Sequence, residues 1–569
     1  MLYGGFIMAC TRLSFKIVIL FLLLTLTPAQ HTMAWSLPGN NHVNTAQNNV
    51  LRFALHVSNM GQMDPHFAAA SQDRSVADMV FNGLLRYKPG NAPYIEPDLA
   101  MGMPQLTTEK GLQVWYVTLR KGILFHPGPM TAPYELTADD VVYSFTKAAD
   151  EKRSAYAGDY EGIAIQKVDD YTVKFILSKP LSSILFFPKI TNYNGGFIVS
   201  KKAMEAMGDE AYGKHPVGTG PFMFQEYIFG EKLILGANND FFRGKPALDG
   251  VELFFIPDVE NRKSGLLNGG LDAIIGSGDK GFSSELMLHN GIEIDTHGVG
   301  EVTAIYFNTS IPPMDDIQVR KAIAYALHKE SYLNIYDKNN AGFVYSAVPA
   351  QSLPGGLKQK DVKVLGLDYA EDVKKAKALL TQAGYPNGFT LKLVGSEKRT
   401  YRNFYRILHE QLARIGIVTR TKILPHADMH REIRTHPKPI VIYTAWRPNA
   451  DVFLSRFFHS DSILISGIKP DTNFSHYSKI DQLIEAARHE PNPKKQISLW
   501  HQAQIRILSD MVAYPLIYAN MRTPRRDYVD YGHPLISSMA LYPQFTEKTK
   551  LMPHAVITNK DQRSTIAMD

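Results

Sequence analysis

Cysteine is almost missing from this 569-residue chain; the only one is Cys10. It precedes the apolar run Ile17–Thr27 instead of following it, which is the wrong place for a lipoprotein cysteine. Disulfides, thiolate metal sites and cysteine nucleophiles are therefore excluded from everything downstream. Charge of one sign is lacking too. Lys and Arg number 61 against 55 Asp and Glu, a net +6, of which Arg12 and Lys16 contribute two. With no basic run, RGG tract or zinc-finger spacing, that balance argues against a nucleic-acid or membrane-surface partner.

Long hydrophobic runs are also missing. Ile17–Thr27, "IVILFLLLTLT", falls short of the roughly 20 apolar residues a spanning helix needs. Arg12 and Lys16 stand before it, and Ala29 and Ala34 after it. This is the layout of a secretory signal peptide over residues 1–35. The expected product is a periplasmic protein with its signal removed and no lipid anchor. Lacking disulfides, it must draw stability from the size of its core, which about 535 residues can supply.

No catalytic constellation can be assembled. "VGTGPF" (217–222) has two glycines and leads into a strand-like run, whereas a phosphate cradle needs a helix there. "HADMHRE" (426–432) sets His426 and His430 four apart, but Pro425 before it predicts a solvated turn and no metal site. His126 in "FHPG" reads as a turn histidine, and no G-x-S-x-G elbow occurs. Neither catalytic residues, nor a metal, nor a cofactor is expected.

Short β-rich runs dominate residues 50–275, separated by Gly, Pro and Asn/Asp clusters: "LRFALHV", "LQVWYVTL", "YTVKFIL", "KLILGAN" and "GVELFFI". Among them "LTADDVVYSFTKAADE" predicts a helix with Thr137 as N-cap and Asp139 and Asp140 in its first turn. From 300 onward strands alternate with helices such as "IQVRKAIAYALHKE" and "YRNFYRILHEQLARIG", the pattern of an α/β domain with a largely parallel sheet. A later strand, "AYPLIYAN", is free to return to the first half.

One stretch changes character midway. In "VIYTAWRPNADVFL" (441–454) a β-forming run gives way to Trp446, Arg447, Asn449 and Asp451 around Pro448. In isolation Trp446 is either a half-buried strand end or the wall of a ligand site.

Read in order, a set of motifs speaks to that choice. They are "MDPH" (63–66), "FNGLLRY", "LRKGILFHPG", "ELTADDVVYSF", "VGTGPF", "FFRGKPALDGVELFFIPDVENRKSGLLNGGLDA", "YFNTSIPPMDDIQVRKAIAYALHKE", "AKALLTQAGYPNGF", "AWRPNADVFL", "NFSHYSKIDQLIEAARHE" and "AYPLIY". Together, across residues 50–550, they resemble the family 5 extracellular solute-binding proteins, periplasmic receptors of ATP-driven importers for oligopeptides, dipeptides, nickel complexes and opines.

The resemblance implies an α/β, two-lobed periplasmic-binding-protein fold of type II-like form. It has an extra N-terminal subdomain, and a hinge joins the lobes. The first lobe would span 36–276 with the subdomain at about 80–205, the second 277–515, and 516–569 would return to the first. A small peptide-like solute would be enclosed between the lobes, and the closed form delivered to an inner-membrane permease and its ATPase subunits. A metal chelate, haem, an opine or an oligosaccharide is the alternative cargo, and a hydrolase the alternative class. A monomer is expected.

By position in the resemblance, Ala445, Trp446 and Arg447 would pair with the ligand backbone. Ala69, Ala70 and Ser71 would face them from the first lobe. Peptide-binding members place an aspartate three residues beyond the Trp to hold the ligand ammonium. Here Asn449 stands at that spacing, with Asp451 as a substitute acid. Arg434, His436 and Arg447 could meet a carboxylate, and Tyr443 could point either way.

The signal reading is open to direct test. Intact-mass measurement of the periplasmic fraction should give a chain beginning at about residue 30–36. A membrane-retained product of full length contradicts it.

Overall fold

The computed structural model describes residues 49–553, apart from 69, 279–280, 338–339 and 540–541. The signal stretch, Cys10 and Ala69 lie outside the described residues. No helix among those described is long and apolar enough to cross a membrane.

A nine-stranded mixed sheet runs through the molecule. Its order is Ile440–Ala445, Ile292–Phe307, Ala513–Arg526, Ala273–Ile274, Val50–Leu55, Gly250–Phe255, Lys232–Ala237 and Phe222–Ile228, with Ala341–Phe343 paired to Ala513–Arg526. Val50–Leu55 lies between two parallel neighbours, Gly250–Phe255 and Ala273–Ile274. Covered on both faces, it buries Leu51, Phe53, Ala54 and Leu55 alike. A separate four-stranded antiparallel sheet, drawn from residues 105–177, occupies the first half.

Two large apolar cores result. One gathers residues from Leu51 to Ile275 together with Val529, Tyr531, Tyr542 and Phe545. The other gathers residues from Val302 to Ile517, joined by Leu185.

Local signals held where capping chemistry set them. Thr137 caps the helix Ala138–Ala148 in a capping box with Asp140. Three expectations need correction. The second half is not largely parallel: only Thr390–Ser396 and Val418–Leu424 pair that way. Its longest strands, Ile292–Phe307 and Ala513–Arg526, carry the chain into and out of this half, so they run in opposite directions. "HADMHRE" is no turn but the start of a helix, His426–Thr435. Pro425 precedes its first turn, where a missing N–H costs nothing. His126 is buried, its Nε2 hydrogen-bonded to the Gly220 carbonyl at 2.9 Å. The glycines of "VGTGPF" answer to packing. A Cβ on Gly218 or Gly220 would lie 2.0 Å or 2.3 Å from the carbonyl oxygens of Val80 and Met79.

The "MDPH" motif anchors the first half. The Lys147 Nζ donates to Asp64 at 2.8 and 3.1 Å, to His66 Nδ1 at 3.3 Å and to the Arg153 carbonyl at 3.0 Å. The Lys147 and Asp64 side chains are 0% and 2% exposed. Losing either would strand the other charge, at a cost on the order of 3–5 kcal/mol. His66 Nε2 donates to the Phe197 carbonyl at 3.0 Å. Burial, then the Lys147 ammonium, press its pKa down to about 4.

Burial likewise holds His126 and His297 at about 4. Folded, all three stay neutral where the unfolded chain, titrating near 6.5, takes up protons. The unfolded state thus binds more protons between about pH 6.5 and 4, and stability falls as pH drops through that window. The slope is about 1.4 kcal/mol per pH unit for each histidine differing by a full proton. Thermal melts should fall as pH drops from about 7 towards 4, with Asp78, whose carboxyl burial raises to about 6, offsetting part of one histidine's share; an unchanged midpoint at pH 4.5 contradicts this.

Candidate functional site

Ile440–Ala445 is the outermost strand of the large sheet, paired on one side only, to Ile292–Phe307. Its other edge is partly covered by tyrosine hydroxyls from the helix Arg399–Ala413. The Ile442 N–H donates to Tyr405 at 3.2 Å, and the Thr444 N–H to Tyr401 at 3.3 Å. In a strand alternate N–H groups point to the same edge, so the next in the series is that of Trp446. It has no hydrogen-bond partner among the described residues. The covered edge therefore ends in one open donor.

Trp446 stands at the edge of a cavity of about 960 Å³. One wall comes from residues 155–163 and 178–194 with Arg74 and Tyr87. The other comes from Trp446–Asn449, Asp451, Val452, Arg456, Lys469, Asp471, Arg488 and His489. The Trp446 ring meets Tyr193 edge-on, with centroids 6.0 Å apart, and packs beside Tyr87, Ala92 and Met539. Its indole Nε1 is buried without a hydrogen-bond partner. Trp446 thus crosses from one core to a small cluster of the other half.

The polar groups after it are already engaged. The Arg447 Nη1 donates to the Trp446 carbonyl at 2.8 Å, and its guanidinium lies over the Phe457 ring. Asn449 is the N-cap of the helix Ala450–Phe458, its Oδ1 accepting the Val452 N–H at 2.9 Å. Asp451 is ion-paired with Arg488 at 3.2 Å.

A second group of polar side chains gathers at the carboxyl ends of parallel strands. His56 follows Val50–Leu55, Lys398 follows Thr390–Ser396 and His426 follows Val418–Leu424. Lys398 acts on His56 and on Glu301 at once. Desolvation raises the Glu301 carboxyl from its ordinary value, with Lys398 pulling it back. Desolvation, then Arg262 and Lys398, lower His56.

Here too runs a directed hydrogen-bond chain. Arg434 can only donate: Nη2 to the Tyr443 hydroxyl at 2.8 Å and Nη1 to His430 Nδ1 at 3.2 Å. His430 must then carry its proton on Nε2 and give it to His426 Nε2 at 3.1 Å. His426 in turn donates from Nδ1 to Ser396 Oγ at 3.0 Å. Desolvation, His426 and Arg434 press His430 to about 4. In this arrangement the two rings use their facing nitrogens on each other, not on a metal. Among the described residues no group of three or more His, Cys, Asp or Glu converges in a metal-binding arrangement.

Of the residues singled out from sequence, Trp446, Arg447, Asn449 and Asp451 line the cavity together. Ala445 is buried, paired with Val302. Tyr443 is buried in the second core, and Arg434 bonds to its hydroxyl. His436 lies on an exposed helix end against Glu432. Ala70 precedes the helix Ser71–Val80, and Ser71 Oγ meets the Tyr542 hydroxyl at 3.3 Å. Sequence reasoning missed Tyr193, Lys189, Arg488 and the two tyrosine hydroxyls, which reach the site from distant segments. Only the Asn449 cap had a local signal, Asn followed by a first-turn acid.

Residues 95–463 match the bacterial extracellular solute-binding proteins, family 5, Middle. Heme-binding protein A of Haemophilus influenzae is 26% identical over 454 residues, 75% of this chain and 80% of that protein. The dipeptide-binding protein of Escherichia coli K12 is 26% identical over 489 residues, 79% of this chain and 86% of that one. Among solved structures, the binding protein MoaA of A. tumefaciens R10, in complex with mannopinic acid, superposes with a TM-score of 0.72. It is 33% identical, and the match covers 89% of this chain and 100% of that one.

The Asn449 cap can be weighed alone. Asn449→Ala should cost about 1 kcal/mol in denaturant unfolding, while Asn449→Asp, an equally good cap, should cost almost nothing. Equal stability of the Ala variant and the parent protein contradicts the assignment.

Proposed function

The chain belongs to the family 5 bacterial extracellular solute-binding proteins, and from that premise we propose that it captures a peptide-like solute at Trp446, between its two lobes. The loaded protein then delivers the solute to the permease and ATPase subunits of an inner-membrane importer. The lobes of this proposal are 36–276, with an inserted subdomain at about 80–205, and 277–515, with 516–569 returning to the first. The mature protein works in the periplasm, its signal removed, and turns nothing over.

The open Trp446 N–H carries the reading. An unpaired donor at the end of an edge strand is where an extended backbone can add itself, its carbonyl accepting what no protein group accepts. The cavity beside it is within the few hundred to roughly 1,000 Å³ typical of small-molecule sites. The Trp446 ring offers the apolar wall. Lobe closure would exclude water and strengthen each polar contact inside.

A second reading has its own support. The structure at 33% identity holds mannopinic acid, so an opine is the alternative solute. Neither reading calls on a free ammonium group. Asn449 spends its oxygen on a helix cap and Asp451 is neutralised by Arg488, so the acid that peptide binders use for an ammonium has no counterpart ready.

Trp446→Ala tests the site. Removing this half-buried aromatic anchor should cost about 2 kcal/mol, a roughly thirtyfold loss of affinity for the co-purified solute by calorimetry. The protein should keep its fold. Unchanged affinity with a markedly lower melting temperature would make Trp446 a packing residue only.

A further inference from the structure

The hydrogen-bonding groups around Trp446 are unbalanced, and the imbalance specifies the solute's chemistry. Four acceptors face this end of the cavity, and each already has a donor. The Trp446 carbonyl takes Arg447, Asn449 Oδ1 takes the Val452 N–H, Asp451 takes Arg488 and Asp471 takes Arg456. The donors are in surplus. The Trp446 N–H and its buried Nε1 have no partner among the described residues. Lys179 and Lys469 line the cavity without a carboxylate, and Lys189 donates only to the Asp159 carbonyl, at 2.6 Å.

Asp159 and Glu161 are exposed carboxylates on one loop of the rim, and they offset two of the three lysines. Asn194 and His489, unpaired at Oδ1 and Nδ1, can present either a donor or an acceptor by turning the amide or changing tautomer. Neither alters the direction of the imbalance.

We infer that the solute is an acid: a peptide-like molecule bearing one or more carboxylates and no ammonium group near Trp446. A buried donor left unpaired costs more than an average hydrogen bond returns, so a ligand rich in acceptors is the one this cavity rewards. Charge-assisted bonds from lysine to carboxylate then favour the ionised acid over its amide. A cationic or ammonium-led ligand would instead leave the donors unmet. This inference rests on the peptide-like reading of the site.

Calorimetry on the mature protein, dialysed free of co-purified solute, tests it with three size-matched probes. They are N-acetyl-Glu-Glu, N-acetyl-Gln-Gln amide and unblocked Gln-Gln. The blocked acid should bind about tenfold or more tighter than either glutamine peptide. In a Lys179→Gln/Lys469→Gln double variant, whose changes fall on exposed side chains, that advantage should shrink several-fold. Equal affinity for acid and amide, or tighter binding of the free-ammonium peptide, overturns the acid inference and leaves the peptide reading standing. Silence from all three probes overturns both.

Discussion

The long antiparallel ladder between Ile292–Phe307 and Ala513–Arg526 is the constraint on which the rest depends. It pairs from Ile292 with Arg526 to Tyr306 with Ala513; its end at residues 302–307 lies in the second large core, and Ile292 and Ile294 pack on a smaller cluster around Leu266 and Phe282. At one end Arg525 pairs with Ala273, beside the buried strand Val50–Leu55. At the other end Ile292–Phe307 carries Ile440–Ala445 on its outer edge, which sets where Trp446 emerges. Between His297 and Glu301 the ladder loses register. There Gly298 and Gly300 take φ values of +141° and +75°, a backbone other residues rarely adopt. The ladder is thus interrupted partway along its length.

The edge of Ile440–Ala445 shows how an exposed strand edge is managed. Unpaired N–H groups at an edge invite pairing with any chain, and here the tyrosine hydroxyls of one helix cover two of them. The third, that of Trp446, has no such cover among the described residues. The same economy applies to charge. Near Trp446, Asp451 and Asp471 are held by Arg488 and Arg456.

Much of this was legible in residues close in sequence. Thr137 and Asp140 announce their helix, and alternating runs such as "YTVKFIL" announce strands, because capping and side-chain alternation act within a few residues. The family likeness emerged from motifs in order, although the role of "MDPH" was not readable. It needs Lys147, some eighty positions away, to explain its buried aspartate. Proline before His426 suggests a breaker, but it stands at a helix start, where proline is well tolerated. Asn449 was weighed against a family aspartate when its own neighbours mark it as a cap. The partners that matter most at the cavity, Tyr193, Lys189 and Arg488, come together only through tertiary packing, and no spacing rule foretells them.

The account stands or falls on whether solute pairs with the open end of the strand. Amide hydrogen exchange, resolved to single residues with and without the co-purified solute, reads that bond directly. The Thr444 N–H, already given to Tyr401, serves as the internal reference. Slowed exchange at Trp446 on binding, with Thr444 changed far less, is the predicted result. Exchange at Trp446 that is the same in the free and loaded protein would contradict the account.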